Sequence, residues 1–156
     1  MRKQQANVLC GANADVWHAV GVQQADVSAR MIPGAYHDEV QGAARGRTAI
    51  ISLELGDVRF VHLGDLGHML DANLIAQTKG HDVVLAPVGG CFTVDGRQAA
   101  QVVDQIDARL ALPMHYRPSD REIPLPLATL EESGFLTGRR VRWEHTAELT
   151  ITISCL

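Results

Sequence analysis

Val61-His62-Leu63-Gly64-Asp65-Leu66-Gly67-His68 decides how this chain is read. An apolar, β-branched run stops at a glycine turn that carries one carboxylate between two imidazoles. Two more histidines stand at the ends of similar runs. One is His37, in Ile32-Pro33-Gly34-Ala35-Tyr36-His37-Asp38. The other is His115, in Ala111-Leu112-Pro113-Met114-His115-Tyr116. Side chains at strand ends can converge although they lie far apart in sequence. Neutral imidazole and ionised carboxylate are the ligands zinc accepts. The pattern therefore points to a metal site.

Working outward, strands and helices alternate. Val27 to Ile32 reads as a strand. Pro33-Gly34 and the polar stretch from Asp38 to Arg47 read as loop. Thr48 to Leu55 and Val58 to Leu63 read as a hairpin, because Gly56-Asp57 is a two-residue turn signal. Asp71 to Lys79 suits a short helix with Asp71 as N-cap. Asp82 to Ala86 is a buried-type strand ended by Pro87. From Asp95 to Leu110, apolar residues fall at Ala99, Val102, Val103, Ile106 and Leu110, which is helical spacing with Asp95 as cap. Leu110 to Met114 reads as a strand, Pro124 to Ser133 as a short helix, and Leu149 to Ser154 as a last strand. No linker divides the chain, so residues 1–156 are expected to form a single α/β unit.

Composition narrows the function. The chain has 156 residues, 46% of them hydrophobic, enough for one domain with a core. A formal net charge of −4 leaves no basic footprint for nucleic acid. No apolar run of about 18 residues is present, so no membrane span is expected. The start, Met1-Arg2-Lys3-Gln4-Gln5, is followed by no apolar signal region. Cys10, Cys91 and Cys155 are odd in number and widely spaced, which reads as reduced thiols in a cytoplasmic protein. Gly89-Gly90 permits close backbone approach. No Gly-rich loop followed by Lys-Ser/Thr occurs, and no Gly-x-Ser-x-Gly elbow, so phosphate-loop and serine-hydrolase chemistry are disfavoured.

Three segments together resemble the metallo-β-lactamase-fold hydrolases. They are His62-Leu63-Gly64-Asp65-Leu66-Gly67-His68, Asp82 to Gly90, and Pro113-Met114-His115-Tyr116. The nearest branch resembles the ascorbate-6-phosphate lactonase-like proteins, and Tyr36-His37-Asp38 followed by Arg45-Gly46 fits it. The resemblance runs from about Asn7 to the C-terminus. It implies one half of an αββα sandwich, a mixed sheet with helices on its outer face. It also implies roles: His37 on a first zinc, Asp65 bridging two metals, His115 on a second, and His68 lining the pocket beside Asp65 as a catalytic group. Zinc is the implied metal, with manganese as the other candidate, and a small molecule is the implied substrate.

The departures matter equally. The family's His-x-His-x-Asp-His cluster, which belongs to its first half, does not occur in this sequence. The expectation is therefore the C-terminal half of the domain, N-terminally truncated and inactive alone. Three ligands divided between two metals complete neither site; a mononuclear two-histidine, one-carboxylate site is the other arrangement. Thr48 stands where the branch usually has Asn. Other residues have plainer readings: His62 as packing, Cys91 as a structural thiol, and His18, His81 and His145 as surface or packing residues. Arg45 either holds an anionic substrate or braces its loop. Two function classes follow. One is a zinc-dependent hydrolase of esters, lactones or phosphoesters. The other is a non-catalytic half-domain that binds a partner. An uncovered sheet face would leave the isolated chain prone to self-association.

Overall fold

The computed structural model describes residues 21–24, 27–120 and 122–135. Six strands form one mixed sheet in chain order: β1 (Gly21–Gln24), β2 (Val27–Tyr36), β3 (Arg47–Leu55), β4 (Val58–His62), β5 (Val83–Pro87) and β6 (Leu110–Met114). Strands β1 to β4 pair antiparallel; β4, β5 and β6 run parallel. Parallel neighbours need a crossover. Helix α1 (Ala72–Thr78) supplies the one from β4 to β5, and α2 (Gly96–Ile106) the one from β5 to β6. The ends of β4, β5 and β6 thus open at one edge, where the histidines and Asp65 stand. The strand expected over Leu149 to Ser154, and residues His18, His145, Cys10 and Cys155, lie outside the described residues. Among the described residues no helix is long and apolar enough to cross a membrane.

Local chemistry sets the boundaries. Gly56-Asp57 closes the β3–β4 hairpin, pairing Leu55 with Val58. Asp71 caps α1 by accepting from the Leu74 amide at 2.8 Å. At α2 the capping box is complete: the Asp95 carboxylate accepts from Gln98 N–H at 2.8 Å, and the Gln98 side chain accepts from Asp95 N–H at 3.1 Å. α2 stops at Ile106, short of the expected Leu110, because Asp107 turns into the left-handed region at φ 63°. That turn frees residues 108 and 109 to lead into β6, where Arg109 and Leu110 donate to Asp82 O.

Two expectations are corrected. Pro33-Gly34 does not end a strand; β2 continues to Tyr36, and the register slips between Ile32 and Ala35. A proline without an N–H is tolerated at such a bulge. Pro124 to Ser133 is no helix. Pro124 and Pro126 drive the residues before them from helical geometry, leaving a single turn in which Ser133 N–H donates to Thr129 O at 2.9 Å. Glu132 ties that turn to Arg117 at 2.9 Å.

One face of the sheet carries the core. Ile32, Ile50, Val61, Val84 and Ala86 pack with Leu74 of α1 and Ala99, Val102 and Ile106 of α2. Fully burying one such aliphatic side chain stabilises by about 1.5–3 kcal/mol. A polar link crosses the same face: His81 Nε2 lies 2.8 Å from Ser52 Oγ, and its Nδ1 lies 2.6 Å from the Thr78 carbonyl. All three residues are buried. The opposite face has an apolar row of its own, interrupted once. Met31, Ile51, His62, Leu85 and Leu112 are register partners across β2 to β6. Beside them Val27, Leu55 and Val58 line up and are exposed.

Candidate metal centre

Asp65 is placed by its neighbours' backbones. Leu63 N–H still donates to Leu85 O at 3.0 Å, so the chain leaves β4 under control of the sheet. Gly64 N–H then donates to His62 Nδ1 at 3.0 Å, and Asp65 N–H to Thr48 Oγ1 at 3.0 Å. The Asp65 carboxylate makes neither bond and is left to face outward, about half exposed. His37 directly follows β2; its N–H donates to Gly46 O at 3.1 Å. Gly67 N–H donates to Tyr36 O at 2.9 Å, and Gly67 lies so close to His37 O that a Cβ there would collide with it. His115 follows β6 with φ 56°, a left-handed conformation uncommon for a non-glycine residue. Gly89 packs against the His115 carbonyl with no room for a side chain.

The three side chains meet. Asp65 Oδ1 is 3.0 Å from His115 Nδ1, and Asp65 Oδ2 is 3.8 Å from His37 Nδ1. One carboxylate thus turns one oxygen to each of two imidazoles. Two ligands on one tetrahedral zinc stand about 3.3 Å apart, given bonds near 2.0–2.1 Å; the two observed distances bracket that value. The donor chemistry fits part of a metal site. It does not fit a whole one: no three His, Cys, Asp or Glu side chains among the described residues are set to hold one ion together.

The neighbouring polar residues sort by their bonds. His62 is held below the ordinary histidine value by burial, then by the nearby His115, against the opposing pull of Asp65. Its Nδ1 accepts from Gly64, so it shapes the turn. His68, expected beside Asp65 in the chemistry, has both ring nitrogens engaged with backbone. Nε2 accepts from Tyr36 N–H at 3.0 Å, and Nδ1 faces Met69 O at 2.7 Å. That arrangement ties the ring to β2 and to the Met69 backbone through both nitrogens. Asp38 accepts from the amides of Val40, Gly42, Ala44 and Arg45. Desolvation would raise its pKa, but these four amides hold it below the ordinary aspartate value. The loop after His37 is therefore ordered around one carboxylate. Arg45, on that loop, lies over the Phe92 ring at 4.1 Å from its centroid. Cys91 is a partly exposed free thiol next to Phe92.

A cavity of about 660 Å³ lies beside the centre, lined by Gly89, Gly90, Arg97, Arg117, Leu127 and Glu132 among others. It shares Gly89 with the wall behind His115 but contains none of the three metal-type donors. The convergent donors, and not this cavity, mark the chemistry.

In the sequence Thr48 stands out only as a departure from the branch's usual Asn, with no role attached, and Phe92 does not stand out at all. Thr48 lies 17 positions from the aspartate it holds, and only the β3–β4 pairing brings the two together. Phe92 carries no local signal beyond following Gly89-Gly90-Cys91.

Fold and site define an α/β protein with imidazole and carboxylate donors gathered at the parallel edge of a mixed sheet. The beta-lactamase superfamily domain matches residues 2–115, and the chain belongs to that family. A UPF0173 metal-dependent hydrolase of Caldivirga maquilingensis is 34% identical over 110 residues, covering 69% of this chain and 46% of the relative. Another, of Staphylothermus marinus, is 34% identical over 91 residues, covering 58% and 38%. A crystal structure from Thermotoga maritima, assigned to the Zn-dependent hydrolases of the metallo-beta-lactamase superfamily, matches with a TM-score of 0.60 at 25% identity. That match covers 78% of this chain and 56% of the other. The chain spans less than half the length of these two curated relatives.

Proposed function

We propose that this chain supplies one half of the metal site of a metal-dependent hydrolase acting on esters, lactones or phosphoesters. The observation that carries the reading is Asp65, with one oxygen toward His115 and the other toward His37. Zinc, or manganese in its place, would be held by these three residues together with donors from further polypeptide carrying a His-x-His-x-Asp-His run. A metal bound there supplies an activated water near neutral pH and polarises the scissile bond. The chain's own residues do the positioning. Thr48 holds the Asp65 backbone, His62 shapes the turn before it, and His68 anchors the turn to β2. Gly67 and Gly89 let the strands carrying His37 and His115 close in. The ascorbate-6-phosphate lactonase-like branch is the nearest resemblance for the class of substrate.

A second reading is a non-catalytic module that binds a partner. The absence of any three-donor cluster among the described residues and the second apolar sheet face favour it. The two are separated by mixing the chain with a polypeptide bearing the missing cluster. Lactones, phosphodiesters and aryl esters are then screened with added zinc or manganese. Turnover that disappears in Asp65→Ala supports the hydrolase; a stable complex without turnover on any of them supports the binding module.

A further inference from the structure

Phe92 is an unusual residue to find where it stands. It is half exposed, and its φ of 66° places a bulky side chain in the left-handed region. Such a conformation is unfavourable for a bulky side chain, and an exposed ring returns little of that cost by burial. The ring's described partner is the Arg45 guanidinium, 4.1 Å from its centroid. Arg45 in turn makes no ion pair and no side-chain hydrogen bond with a described residue. A guanidinium lying on a ring keeps its N–H donors free at the edge, and that edge matches the two oxygens of a carboxylate or phosphoryl group.

The pair also stands at the centre described above. Arg45 belongs to the loop that Asp38 orders immediately after His37, with the Arg45 amide 2.6 Å from Asp38 Oδ2. Phe92 belongs to the turn tied to the Asp65 loop by the 2.8 Å bond from Val94 N–H to Leu66 O. Gln98 of α2 reaches Glu39 at 3.4 Å and bridges the same two segments. Arg45 is therefore an oriented cation whose side-chain donors no described residue engages, carried by one of the two segments that flank His37 and Asp65.

We propose that Arg45, stacked on Phe92, is the oxyanion-binding group of this site, and that the substrate carries a carboxylate or phosphoryl group. The proposal rests on the hydrolase reading for its location, and its test does not depend on turnover. Phe92 is a positioning residue, acting through Arg45.

The experiment is titration of the full chain with inorganic phosphate and, separately, acetate, followed by NMR of the arginine Nε–H signals. Saturable shifts of the Arg45 signal by either anion are expected, and the tighter anion identifies the substrate group. Arg45→Gln should weaken that anion about tenfold or more, read from the remaining shifts near the site. Phe92→Leu should weaken it a few-fold, with recovery in Phe92→Tyr and no change in thermal stability. Unsaturable shifts, or equal affinity in Arg45→Gln, overturn the proposal; so does a fall in stability in Arg45→Gln with unchanged anion binding, which makes the pair a loop brace. Zinc titration of the same samples separates the two ideas: no saturable anion binding by the unsubstituted chain, beside zinc binding that depends on Asp65, refutes this proposal and leaves the hydrolase reading standing.

Discussion

Gly67 and Gly89 have no side chain because two carbonyls occupy the space, those of His37 and His115. Gly67→Ala and Gly89→Ala are each expected to destabilise by about 1–3 kcal/mol, as overpacking does, and to displace a candidate ligand. Denaturant unfolding with zinc retention checks both; wild-type stability and retention in either variant would contradict the packing described. His81 makes a pH-dependent prediction. Burial lowers its pKa, the Thr78 carbonyl opposes this, Arg59 and Arg30 act with burial, and Glu54 acts against it. A lowered histidine stabilises the fold fully above the unfolded value of about 6.5, and that stability falls as pH drops through it toward the lowered folded value. The melting temperature should therefore fall between about pH 7.5 and about pH 5.5, and the fall should be smaller in His81→Gln. An equal fall in the variant would show that His81 is not the group responsible. At this scale the sequence was legible where chemistry is unusual: the carboxylate of Asp65 with the imidazoles of His37 and His115 at run ends. The roles of Thr48 and Phe92 and the Ser52–His81 bond were not legible, because their meaning comes from partners brought near only by the fold.

At the scale of elements, capping chemistry and periodicity carried most of the fold. Asp71 and Asp95 start the two helices as their sequence signals require, and Gly56-Asp57 sets the hairpin. Asp95→Ala removes an acceptor from a complete capping box and should cost about 1 kcal/mol. A shift in the unfolding midpoint measures it, and no shift would mean that tertiary packing alone holds the start of α2. Two element boundaries escaped pattern reading for stated physical reasons. A bulge lets β2 run through Pro33-Gly34, and Pro124 with Pro126 leaves too little chain for a helix. α2 also stops early, since the left-handed turn at Asp107 serves the entry to β6 and not helical periodicity.

At the scale of the whole molecule, the sheet presents two apolar faces, and the described helices contribute to the core on one of them. The other includes the exposed row Val27, Leu55 and Val58. Soluble monomers rarely leave a large apolar patch uncovered. The chain alone is expected to self-associate through this face, and a partner that covers it should restore a monomeric unit. Light scattering with a hydrophobic dye reads this; a stable monomer that binds no dye would contradict it. On the proposed function, His37, Asp65 and His115 form part of a metal site and not all of it. Zinc content after extensive dialysis tests that most directly. Weak binding is expected, below one zinc per chain, lost altogether in Asp65→Ala. Two tightly held zincs per chain would contradict it, as would zinc content unchanged by Asp65→Ala.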